Sequence, residues 1–148
     1  MKIVLIYLAS DNENNWQDKV ISAFENEIHD GTVEFFDPRK NPDESICKQN
    51  QREANIVFGY TQARTSELFK TCTEMTGGFY NQARTIFVDD NRHTAENFKP
   101  VTKKEVQHKF YLDFISSVSH KKATSLAEGI SILKDEIGIA IIRNFSVN

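Results

Sequence analysis

Apolar residues in this chain fall in short unbroken runs, and between the runs they recur every three or four positions. Strands buried on both faces, alternating with amphipathic helices, produce that pattern. The run from Lys2 to Leu8 is β-branched and apolar and opens at Ala9-Ser10-Asp11 into a polar loop, which predicts a first strand. From Trp16 the positions Trp16, Val20, Ile21, Phe24 and Ile28 share one helical face, with Asn14 or Asn15 available as N-cap and Asp30-Gly31 as the stop. Thr32 to Phe36 reads as a second strand, halted at Asp37-Pro38 because proline removes a ladder donor and holds the residue before it extended.

The same alternation continues. Pro42-Asp43-Glu44 opens a helix to about Arg52, Asn55 to Tyr60 is a third strand, the segment to about Asn81 is a third helix, and Arg84 to Val88 is a fourth strand. Asp89 to Lys99 is a polar loop. Thr102 to about Ser116 reads as helix or as helix plus strand, with a fifth strand expected within Phe110 to Val118. Ser125-Leu-Ala-Glu128 has a capping-box pattern, and Leu126, Ile130, Leu133 and Ile137 form one apolar stripe up to Gly138. Ile139-Ala-Ile-Ile142 is too apolar to stand free in water, so residues 139–148 are expected to pack on their own domain or to serve as an interface tail.

The order βαβαβαβ predicts an α/β protein: one domain over residues 1–148, with a parallel sheet covered by helices on both faces. A chain of 148 residues supports one core without disulfides. Cys47 and Cys72 follow no pairing or ligand spacing, so reduced thiols and no metal are expected. No run approaches the roughly 20 apolar residues of a membrane helix, and the first residues lack a signal-peptide pattern, so a cytoplasmic protein that does not enter membranes is expected. The net charge of −3 supplies no basic face for duplex nucleic acid. Between Lys99 and Lys122, six lysines stand against two acids, either a solvated helix face or a rim that attracts anions.

In an open parallel sheet, ligands sit beyond the carboxyl ends of the strands. That rule nominates Tyr7, Ala9, Ser10 and Asp11 after the first strand, and Asp37 and Arg39 after the second. Gly59, Tyr60 and Thr61 follow the third strand and Asp89 and Asp90 the fourth, with Glu67 and Glu74 in or before the third helix. The chain has no Gly-x-Gly-x-x-Gly, no Gly-Lys-Ser/Thr loop and no Gly-x-Ser-x-Gly elbow, so no nucleotide cofactor is expected and redox and kinase chemistry fall away. Carboxylates and phenols suit glycosidic chemistry: one acid attacks or stabilises an oxocarbenium-like centre and another protonates the departing group.

Tyr7-Leu-Ala after the first strand, Asn15-Trp16-Gln, Phe36-Asp-Pro-Arg39, Gln49-x-x-Arg-Glu53 before Asn55-Ile-Val-Phe-Gly-Tyr60, and Thr73-Glu74-Met-Thr-Gly77 stand in a suggestive order. Together they resemble the nucleoside 2-deoxyribosyltransferase-like family over about residues 1 to 90. The resemblance implies a flavodoxin-like fold, a homo-oligomer, and cleavage or transfer of the base of a nucleoside or nucleotide through an enzyme carboxylate. On that basis Glu74 is the expected nucleophile, Tyr7 its orienting partner, and Asp37 or Glu67 the acid that helps the base leave. Ala9, Ser10, Arg39, Gly59 and Tyr60 are then expected to line the substrate. Ser10 and Met75-Thr76 stand where the family often has glycine, so a nucleotide-sensing or partner-binding module without turnover is the alternative reading.

Each candidate also has a plainer account. Thr71-Cys-Thr-Glu74 fits a capping box, in which the glutamate only closes a helix end. Glu67 suits a first-turn acid, Asp37-Pro38-Arg39 suits turn chemistry, and Tyr7 and Trp16 suit the core. Cys72 beside Glu74 has no histidine placed to activate it and reads as filler.

Overall fold

A computed structural model of the chain describes residues 3–9, 15–62, 68–90 and 100–146. Five strands, β1 (Val4–Leu8), β2 (Val33–Phe36), β3 (Ile56–Thr61), β4 (Arg84–Asp89) and β5 (Lys121–Ala123), form one sheet in the order β2-β1-β3-β4-β5. All four pairings are parallel. Strand order therefore reverses between β1 and β3, and the crevice outside their carboxyl ends is where this topology places a ligand.

Among the described residues five α-helices connect the strands, α1 (Trp16–Ser22), α2 (Glu25–His29), α3 (Glu44–Glu53), α4 (Phe69–Tyr80) and α5 (Lys103–Ser117), and α6 (Leu126–Ser146) follows β5. Because side chains alternate across a strand, Ile6, Phe58 and Val88 point to one face of the sheet and Tyr7, Val57 and Phe87 to the other. The first set joins Trp16, Val20, Phe24, Leu133 and Ile137 in one core. The second joins Leu68, Met75, Ile115 and Val118. Helices thus cover both faces, as the alternating pattern predicts.

Three local expectations differ from the structure. The single helix read from Trp16 to Ile28 is broken: the backbone N–H of Phe24 bonds back three residues to Ile21 (3.0 Å), which tightens the turn and sends the Phe24 ring into the core. Asn15 precedes α1 in the left-handed region (φ 51°) and makes no side-chain cap bond.

The fifth strand is not within Phe110 to Val118, which lies in α5 and the residue after it. Thr102 and Glu105 form a reciprocal capping box that launches this helix, and His108, Tyr111, Leu112 and Ile115 recur at helical spacing on its inner side. The strand comes later and is only three residues long.

At the end of the chain, α6 runs straight through Gly138. Ala140 and Ile141 pack on the core while Ile139 and Ile142 face outward, so the apolar tail is a helix with both an inner and an outer side.

Candidate active site

Tyr7 is the penultimate residue of β1 and Glu74 lies in the second turn of α4. Thr71, Glu74, Met75 and Gly78 are the buried stripe of α4, spaced to face the sheet, and Glu74 is the ionisable member of that stripe. The helix starts at Phe69 after Leu68, so Thr71 sits inside it and the capping-box account of Glu74 does not hold. Tyr7 is 2% exposed and Glu74 4%. The phenol hydroxyl donates a hydrogen bond to the carboxylate. Burial first, then the charge of Glu74 and that hydrogen bond, push the phenol well above its ordinary range, so Tyr7 stays protonated as a donor. Its ring stacks on Phe36, with centroids 5.5 Å apart.

Above this pair opens a cleft of about 540 Å³, inside the range of small-molecule sites. Its walls come from Pro38 after β2, from α3 and from α4. On α3 the contributing residues are Glu44, Cys47, Lys48 and Gln51, and on α4 they are Lys70, Thr73 and Glu74. Gln51 Nε2 donates to the Glu74 carbonyl (3.0 Å), which ties α3 to α4 across the cleft. A Cβ on Gly77 would collide with the Gln51 side chain, so the glycine keeps this approach open.

The remaining candidates are distributed as follows. Asp37 accepts from the Arg39 backbone N–H (3.0 Å) and pairs with its guanidinium through Nε and Nη2, the shortest contact being 2.6 Å. Arg39 also reaches Asp18 (3.1 Å) and Asn15 (3.4 Å), so it fastens the loop after β2 to α1. Neither Asp37 nor Arg39 is among the residues lining the cleft. Ala9 extends the β1–β3 pairing through its N–H to the Phe58 carbonyl (2.8 Å).

Tyr60 points to the opposite face, where it packs on Trp16 and donates to Asp90 (2.8 Å). Gly59 faces α4: a Cβ there would stand 3.0 Å from Met75 Sδ and 3.3 Å from Phe87, so its bareness lets the helix seat Glu74 close to the sheet. Ser10 and Glu67 lie outside the described residues.

The structure therefore brings Tyr7 and Glu74 together and brings Asp37 and Arg39 together, as two separate pairs. The α3 wall is what sequence reasoning missed. Glu44, Cys47, Lys48 and Gln51 recur at i, i+3, i+4 and i+7, a helical face whose polarity reads as solvated. Cys47, not Cys72, is the thiol in the cleft; burial and the nearby Glu74 charge push it above the ordinary thiol range, which keeps it a thiol at neutral pH.

No protein-family model matches this chain, and no curated protein matches it either. Among the described residues no helix is long and apolar enough to cross a membrane, and no cluster of His, Cys, Asp or Glu is arranged to hold a metal ion.

Proposed function

We propose that this protein is an N-glycosyl enzyme acting on a nucleoside or nucleotide, with Glu74 as nucleophile. The observation that carries the reading is the hydrogen bond from a protonated Tyr7 to a buried Glu74 on the floor of a cleft at the β1/β3 switch point. A phenol that donates to a carboxylate favours its charged form and fixes its orientation, both of which an attacking oxygen requires.

In this reading one carboxylate oxygen of Glu74 bonds to the anomeric carbon as the base–sugar bond breaks. The electron pair of that bond leaves with the base, which takes up a proton. The glycosyl ester is then opened by water, which yields free sugar, or by a second base, which yields a new nucleoside, and Glu74 returns to the carboxylate. The acid that protonates the base is, by the resemblance, Asp37 or Glu67. Asp37 is engaged by Arg39 and acts in this reading chiefly to hold the loop that frames the cleft.

Incubation with a panel of nucleosides and nucleotides, followed by chromatography for free base, tests the proposal. Wild-type protein is expected to release base, and Glu74→Gln, which preserves size and hydrogen bonding, is expected to lower the rate about a thousandfold or more. Full activity in the variant would exclude Glu74 as nucleophile. Ligand-induced thermal stabilisation of wild-type protein without any base release would instead identify a binding module on this fold.

A further inference from the structure

Two cations border the cleft, and both project from helices that frame Glu74. Lys48 lies on the α3 face that lines the cleft, and Lys70 lies one helical turn before Glu74 on α4. Among the described residues neither lysine makes an ion pair. Arg39, the cation expected at this mouth from sequence, has its guanidinium engaged by Asp37 and Asp18 instead. Lys70 also stands in the first turn of α4, which contains no acidic residue, so its charge adds to the positive end of that helix instead of offsetting it. Glu44 borders the cleft one turn before Lys48, and Glu74 lies on the floor.

A ligand with a uniformly neutral surface would leave these ammonium groups with only solvent. A phosphate brings about 1.5 to 2 negative charges and three acceptor oxygens, which two flexible ammonium groups from facing helices can receive together. We infer that the cleft selects a phosphorylated ligand, with Lys48 and Lys70 as the residues that receive the phosphate. The inference rests on the N-glycosyl reading and narrows its substrate to a nucleoside monophosphate. Glu74 meets the anomeric carbon at the floor while the phosphate stays at the mouth.

The bland competitor is that the lysines only balance the charges of Glu44 and Glu74, and kinetics separates the two. Base release is measured for a deoxynucleoside and for its 5′-monophosphate with wild-type protein, Lys48→Gln, Lys70→Gln and the double variant. The same ligands are titrated calorimetrically into Glu74→Gln protein with and without the lysine changes.

The wild type is expected to favour the monophosphate. Each lysine change should raise the KM for the monophosphate about tenfold with kcat nearly unchanged, a larger factor than any change in the KM for the nucleoside, and the excess should shrink at high salt. Inorganic phosphate should compete with the monophosphate and not with the nucleoside.

Equal use of nucleoside and monophosphate by wild-type protein, or equal loss for both on removing the lysines, overturns the inference and leaves the N-glycosyl reading standing. Lysine-dependent binding of the monophosphate with no base released from any compound does the reverse: the phosphate site stands and the N-glycosyl reading falls.

Discussion

A phenol held protonated against a buried carboxylate has a measurable role of its own. Tyr7→Phe keeps the ring and its stacking on Phe36 and removes only the hydroxyl that reaches Glu74. A hydrogen bond to a charged group contributes about 1.5–3 kcal/mol, so base release should fall about ten- to a hundredfold. Losing the donor disfavours the carboxylate anion, so the acid limb of the pH–rate profile should move to higher pH, and the melting temperature should fall by a few degrees because a buried acceptor loses its partner. An unchanged profile would reduce Tyr7 to a core residue. At this scale the sequence was informative about one pair and silent about the other wall. Tyr7 and Glu74 are legible because a strand end and a helix stripe have rules. Lys48 and Cys47 are not, because a polar helical face reads the same whether it borders water or a cleft.

At the level of elements, α4 is the part whose seat decides where the carboxylate sits. Gly78 lies on its buried stripe, and a Cβ there would stand 2.5 Å from Val57 Cγ2, a branched side chain of β3 with little room to yield. Gly78→Ala should therefore cost about 1–3 kcal/mol in denaturant titration and reduce base release, because the helix must shift away from the sheet. Gly138 makes the opposite case: it lies inside α6 with nothing near the place a Cβ would occupy. Gly138→Ala should raise stability by about 0.5–1 kcal/mol, since alanine costs less backbone entropy in a helix. The buried strands and the Ser125 cap of α6, whose hydroxyl accepts the Glu128 N–H (3.2 Å), follow from local pattern. The fifth strand does not, because Lys121 and Lys122 carry no apolar signal and their strand is fixed by pairing with β4, a contact distant in sequence.

For the molecule as a whole, the parallel order was legible from alternation, while the way its last strand is fastened was not. Thr85 of β4 donates its backbone N–H to His120 Nδ1 (3.0 Å), and His120 returns its own N–H to the Thr85 carbonyl (2.9 Å) just before β5. Burial, then the charge of Arg84, lowers the His120 pKa below its ordinary 6.5, so the folded chain holds the neutral ring. The unfolded chain takes up the proton first. Stability is thus fully present above pH 6.5 and declines as pH falls through that value toward the lowered one.

Denaturant titrations across this interval should show the loss, and His120→Asn, whose side-chain oxygen can accept the same bond, should flatten it; a flat wild-type profile would remove His120 from this role. The strand that histidine anchors forms one border of the sheet and exposes Lys121 and Lys122. A sheet border is a template on which another chain can continue the pairing. Here the template is three residues long and carries two ammonium groups, so a neighbouring molecule meets like charge before it can register a strand. The short run that escaped recognition is in this way a guard against fibre growth from that side.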